Sequence, residues 1–224
     1  MSELAPRVHD LLELRDPHST LRTEPAGPEI PPDWASQVLR TYPWVVVRRA
    51  PTFRVPGQTW LPVGVRGATR AQRLAAYVPQ TAVVRVHTPE SLPDRLAGLD
   101  QGRVLGIPAL SALPAAAAVL RGFAVTWGPV GAVGYELATG APTAHWASDL
   151  DLALRVPKPV ARERARGLAD ALAALPVRVD ALLETNRGAI ALTEYAEARG
   201  QVMLRGTTGP RLVTDPWQPK AGAQ

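Results

Sequence analysis

A chain of 224 residues, 46% of them apolar and 20% charged, is long enough for one large domain or two small ones with a genuine core, and is not disordered by composition. Its net charge of +5 comes almost wholly from arginine, since Lys158 and Lys220 are the only lysines; such a surface favours an anionic partner, and the guanidinium fork grips phosphate at two points. The absence of cysteine excludes disulfides, thiol catalysis and cysteine-ligated zinc. Met1-Ser2-Glu3-Leu4 carries no basic stretch leading into an apolar one, so no signal peptide is expected. The most apolar run, residues 112–120, is far too short to span a bilayer. A cytoplasmic enzyme without a membrane partner is the expectation.

Residues 7–15 form a short apolar-rich segment, and 16–32, rich in Pro, Thr and Glu, read as a loop. Asp33 can cap a short helix running through Leu39. The β-branched run 44–49 predicts a strand and 61–67 a second. Thr69 is expected to start a helix through Tyr77, and 82–87 to form a third strand. Together these make a small α+β domain over residues 1–90. Residues 89–102 hold Pro, Asp and Gly and mark the boundary, with a second domain over 103–217. There an alanine-rich helix is expected at 107–121. Residues 125–127 lead into a glycine loop, 128–134, and then helical turns at 135–139 closed by Gly140. Residues 149–156 read as a strand, 159–175 as an amphipathic helix and 177–184 as another strand. A helix at 189–198, short strands at 201–205 and 210–213, and a frayed tail at 218–224 complete the chain.

Asp149 and Asp151 stand two apart, so in a strand both carboxylates point to one face while Leu150 and Leu152 point into the core. Two like charges side by side ask for compensation, and Mg²⁺ takes one or two carboxylates together with substrate phosphates. The pair alone also suits a solvated strand end. Its context adds weight: the glycine loop precedes it, with Gly128 at its start and Gly131 and Ala132 able to present backbone N–H groups to a phosphate. A third acid, Asp180, lies on the next predicted strand, and a strand–helix–strand connection would bring it beside the pair. These three acids are the candidate catalytic and metal-binding residues, for Mg²⁺ or Mn²⁺, in a two-metal phosphoryl or nucleotidyl transfer. The loop is G-x-x-G-x-x-G and lacks G-K-[ST], so a dinucleotide-binding or P-loop site is not expected.

Arg66, Arg187 and Arg211 are candidate phosphate ligands, each also suited to a surface ion pair. Glu184 reads as a hydrogen-bonding structural acid. The four histidines, His9, His18, His87 and His145, lack metal-ligand spacing and read as structural. Trp127 and Trp146 flank the motifs, where core packing or stacking on adenine is possible.

Trp127-Gly128-Pro129, Gly134-Tyr135-Glu136-Leu137-Ala138-Thr139-Gly140 and Ser148-Asp149-Leu150-Asp151-Leu152 resemble the phosphoribosyl-dephospho-CoA transferases, the malonate decarboxylase holo-carrier-protein synthases. So do His9-Asp10-Leu11-Leu12, Pro62-Val63-Gly64-Val65-Arg66-Gly67, Leu183-Glu184-Thr185 and the stretch from Gly209 to Trp217, so that the resemblance runs from about residue 7 to 217. It implies a catalytic domain of the nucleotidyltransferase superfamily, a mixed sheet with flanking helices, after a small α+β domain. It further implies transfer of 2'-(5''-triphosphoribosyl)-3'-dephospho-CoA to a serine of the apo acyl-carrier subunit of malonate decarboxylase, with loss of diphosphate. The family's D-x-D falls on Asp149 and Asp151. Its glycine loop usually reads W-G-P-T-G-S, and here Val130 and Ala132 replace the two hydroxyl residues. The expected partners are that donor and that carrier protein, with no nucleic acid. Two rival readings share parts of this pattern: a nucleotidyltransferase acting on another small molecule or an RNA end, and a module that holds CoA or a carrier protein without catalysis.

Overall fold

The computed structural model describes residues 5–23, 31–69 and 71–218. Its first half contains β1 (Leu11–Leu14), α1 (Pro17–Thr20), α2 (Asp33–Thr41), β2 (Trp44–Val47), β3 (Phe53–Val55), β4 (Gln58–Arg66), β5 (Arg73–Pro79) and β6 (Val83–His87). The strands make one antiparallel sheet in the order β3-β4-β2-β1-β6, with β5 also paired to β4. Period-two patterning explains its packing. Leu12, Leu14, Val45, Val47, Val63 and Val65 fill a small core with Ala35 and Leu39 of α2. Leu11 and Trp44, one residue out of phase, enter the larger core of the second half.

The helix expected at 69–77 is not formed. Residues 73–79 pair with β4 in an unbroken register from Arg66↔Arg73 to Trp60↔Pro79. The alanines there favour helix locally, but Ala76 and Val78 are fully buried at strand spacing, and sheet pairing overrides the local preference. Between the sheets, the expected open break is folded into two 3₁₀ segments, Pro89–Ser91 and Pro93–Gly98, and α3 (Gln101–Gly106). Asp100 caps α3 by accepting from Arg103 N.

The second half continues with α4 (Pro108–Ser111), α5 (Leu113–Gly122), β7 (Thr126–Pro129), α6 (Gly131–Thr139), β8 (Leu150–Arg155), α7 (Arg162–Ala173), β9 (Val179–Thr185), β10 (Gly188–Ala191), α8 (Leu192–Glu197), β11 (Val202–Gly206) and β12 (Gly209–Val213). The helix expected at 107–121 is split into α4 and α5, because Pro108 and Pro114 each occupy a first turn, where a missing N–H is tolerated. The glycine segment is the end of β7 joined to the start of α6. Residues 189–191, expected to be helical, pair with β9 across the two-residue hairpin Asn186-Arg187, so only 192–197 are helix. The tail expected to fray lies, beyond Gln218, outside the described residues.

These strands form a second, separate sheet, β12-β11-β10-β9-β8-β7, parallel only between β8 and β9, which α7 connects. Among the described residues no strand of the first half enters it. Leu150, Leu152, Leu154, Leu183 and Ile190 face the core shared with α5, α7 and α8. The alternate residues, Asp151, Ala153 and Arg155 of β8 and Asp180, Leu182 and Glu184 of β9, therefore face away from those helices. The protein is a two-domain α+β structure. Among the described residues no helix is long and apolar enough to cross a membrane.

Helix α6 is almost wholly buried, including Glu136 at 1% exposure. Glu136 accepts from Arg103 Nε and Nη2 at 2.8 and 3.0 Å and from Ala144 N at 2.8 Å. This network anchors the segment leading into Asp149. Hydrogen bonds to a charged group contribute about 2 kcal/mol, so Glu136→Gln should lower the melting temperature by roughly 4–8 °C. An unchanged thermal melt would show that the carboxylate charge adds nothing there.

Candidate active site

Asp151 stands opposite Asp180 in the parallel register of β8 and β9. Asp149 sits just before β8, its side chain 40% exposed and 3.5 Å from the exposed Arg178. Burial, then the charges of Asp180 and Asp149, push the Asp151 carboxyl up to about 6, against the opposing pull of Arg66 and His9. Gly131 opens α6 at φ +61°, and a Cβ added there would overlap Asp151 Oδ2. The Asp151 carboxylate thus lies against the start of α6, and Val130 N donates to Asp151 O at 2.9 Å. Val130 occupies the N-cap position and has no side chain able to cap. Ala132 follows in the first turn, buried, its carbonyl accepting from Thr143 Oγ1 at 2.9 Å. Where the family carries hydroxyls, this loop has only its backbone and a positive helix end.

Arg66, at the end of β4, brings a cation from the first domain to this site. It lies within electrostatic reach of both Asp151 and Tyr135, and burial, then neighbouring Arg73, lower its pKa. The Tyr135 hydroxyl is buried with no hydrogen-bond partner among the described residues, and burial pushes its pKa up to about 12.

Of the remaining candidates, Gly128 pairs with Ala153 of β8, and two arginines lie farther off. Gly128 sits where a Cβ would overlap the Pro89 carbonyl, so it permits close approach of two backbones across the domain junction. Arg187 lies in the β9–β10 hairpin, past Thr185, which is about 17 Å along β9 from Asp180 at 3.3–3.4 Å per residue. Arg211 pairs with Leu204 on β12, four strands from β8 and on the opposite sheet face from the carboxylates. Trp127 packs against the large core, whereas Trp146, expected to pack or stack, is 79% exposed.

Glu184, expected to be a hydrogen-bonding structural acid, forms a second group whose partners have no signal in the sequence. His9, at the unusual φ of +76°, places Nε2 2.9 Å from Glu184 Oε1. Arg49 Nη2 donates to both Glu184 oxygens at 2.6 Å. Burial would raise the Glu184 carboxyl, but the hydrogen bonds and charges of His9 and Arg49 outweigh it and hold the group below its usual range. Nearby, Arg155 Nε donates to Glu90 at 2.8 Å, and Arg155 Nη2 to Val8 O at 3.1 Å. His9 sits at a positive φ that histidine visits more often than most non-glycine residues.

The molecule is therefore a two-domain α+β protein whose second sheet turns a carboxylate cluster toward the first domain. The chain belongs to the phosphoribosyl-dephospho-CoA transferase MdcG family: residues 7–89 match its N-terminal domain and 95–216 its C-terminal domain. It is 46% identical over 213 residues to a phosphoribosyl-dephospho-CoA transferase of Pseudomonas putida, covering 95% of this chain and 96% of that protein. Identity of 42% to the protein of that name in Azotobacter vinelandii spans 97% of both chains, and identity of 40% to that of Klebsiella pneumoniae spans 95% of this chain and 96% of that protein. No solved structure matches the chain.

Proposed function

We propose that this protein transfers 2'-(5''-triphosphoribosyl)-3'-dephospho-CoA to a serine of the apo acyl-carrier subunit of malonate decarboxylase. The second domain acts as a nucleotidyltransferase-like catalytic unit in the cytoplasm. The observation that carries the reading is the facing of Asp151 and Asp180 across β8 and β9, with Asp149 beside them and the start of α6 against the Asp151 carboxylate.

Among the described residues no three acidic or histidine side chains enclose a metal position. Mg²⁺ does not require such a cage, because it keeps waters and binds through one or two carboxylates and substrate phosphates. The donor set fits on other grounds: an Asp151 carboxyl raised by its neighbours' negative charge is one that a cation would relieve. Asp149, Asp151 and Asp180 would hold Mg²⁺ or Mn²⁺, which when bound supplies charge neutralisation for the triphosphate and the departing diphosphate. In the reaction the serine oxygen bonds to the phosphorus nearest the ribose, and the bond from that phosphorus to the β-bridging oxygen breaks. Diphosphate leaves and the serine proton passes to solvent. The N–H groups opening α6 and the Arg66 guanidinium meet the transferring phosphate's negative charge.

The test is intact-mass analysis of the apo carrier after incubation with enzyme, Mg²⁺ and the triphosphoribosyl donor, with diphosphate release followed in parallel. The expected result is one prosthetic group per carrier, abolished by EDTA. An unmodified carrier overturns the substrate assignment, and full transfer in EDTA overturns the metal site.

A further inference from the structure

The face of the second sheet that carries the acids continues into a cleft of about 620 Å³ between the domains. Its floor is apolar, lined by Leu182 and Ala189 from the second sheet and Val46 from the first. Its rim is basic, with Arg48, Arg49 and Arg205. The Arg49 charge is matched by Glu184 at 2.6 Å. Arg48 donates from Nε to Val63 O at 2.8 Å and lies over the Tyr77 ring, 5.9 Å from its centre, with no carboxylate partner among the described residues. The exposed side chain of Arg205 makes no hydrogen bond or ion pair with any described residue. Two guanidinium groups without a carboxylate partner, over an apolar floor, suit an anionic ligand with an apolar body, and the volume lies in the range of small-ligand sites.

The cleft's position relates it to the carboxylates. Leu182 is two residues along β9 from Asp180 on the same face, about 7 Å away, and Glu184 is about 13 Å away. Arg205 pairs with Ala189, two strands over from β9, on that same face. A ligand reacting at Asp151 and Asp180 would extend directly into the basic rim. Resting on the function proposed above, we infer that this cleft is a second anion subsite. It takes the diphosphate of the dephospho-CoA moiety on Arg48 and Arg205, lays the adenosine or pantetheine portion on Leu182 and Ala189, and leaves the triphosphate to the carboxylate site.

Calorimetric titration of the full-length protein with dephospho-CoA in EDTA isolates this subsite from the metal-dependent one. Wild type should bind. Arg205→Ala should weaken binding about tenfold with an unchanged thermal melt, since that exposed side chain holds no hydrogen bond or ion pair with any described residue, and Arg205→Lys should recover much of the loss. Adenosine, which has no phosphate, should bind wild type and Arg205→Ala alike. Absence of binding by wild type, or equal dephospho-CoA affinity in Arg205→Ala, overturns the subsite. Arginine-dependent binding without transfer to the carrier keeps the subsite and rejects the reaction, so the two failures are separable.

Discussion

Asp151→Asn should abolish transfer to the carrier while making the metal-free protein more stable. The loss of rate should reach about a hundredfold or more, equivalent to about 2.7 kcal/mol, because one of the charges that would hold the cation is gone. The stability gain follows from the carboxyl's environment. The Asp151 carboxyl titrates near 6 in the folded protein against an ordinary 3.8, so folding favours its neutral form. An acid raised in this way binds more protons folded than unfolded, and stability falls as pH rises from about 4 to about 6. Above pH 6 the full penalty is present, about 2–3 kcal/mol for a shift of this size. The variant carries no such penalty. Its melting temperature should exceed that of wild type at pH 7.5, and the gap should close below pH 4. Mg²⁺ should narrow the gap at pH 7.5 by binding folded wild type. Asp149→Asn should change stability less, because its carboxylate is 40% exposed and already beside Arg178. Transfer within tenfold of wild type by Asp151→Asn would reject the metal role. A variant less stable than wild type at pH 7.5 would instead make the carboxylate a structural element.

Gly128→Ala should be the most damaging single methyl addition at the domain junction. The new Cβ would overlap the carbonyl group of Pro89 and approach Glu90 N at 2.6 Å. Both sides of that contact are backbone, so neither can turn away as a side chain would. Glu90 also accepts from Arg155 at 2.8 Å and from Arg7 at 3.0 Å, so displacing this segment disturbs the polar links across the junction. A cost of roughly 3 kcal/mol is expected, at the upper end for overpacking, lowering the melting temperature by about 6–12 °C. Gly122→Ala is the control, since a Cβ there meets nothing within 4 Å. Equal melting temperatures for the two variants would mean that the junction yields freely.

What could be read in the chain was what depends on near neighbours. The run 44–49 announced β2 through β-branching, and Gly140 announced the end of α6, where it sits at φ +75°. Asp149 and Asp151 could be put on one face because strand side chains alternate, and the matched motifs pointed to the family before any fold was seen. Residues 73–79 could not be read from local preference, because alanine favours helix and only pairing along β4 makes them a strand. Gly128 looked like part of a phosphate loop, and only the fold brings Pro89 against it. His9 and Arg49 lie 175 and 135 residues from Glu184, yet bond to it. Arg66 comes within electrostatic reach of Asp151 across the domain junction, and Arg48 shares a cleft with Arg205. Periodicity and propensity act over a few residues, so they determine which face a side chain takes within its own element. Which element that face then meets is decided by how the two sheets close on each other, and that closure joins the carboxylates to Arg66 and the basic cleft.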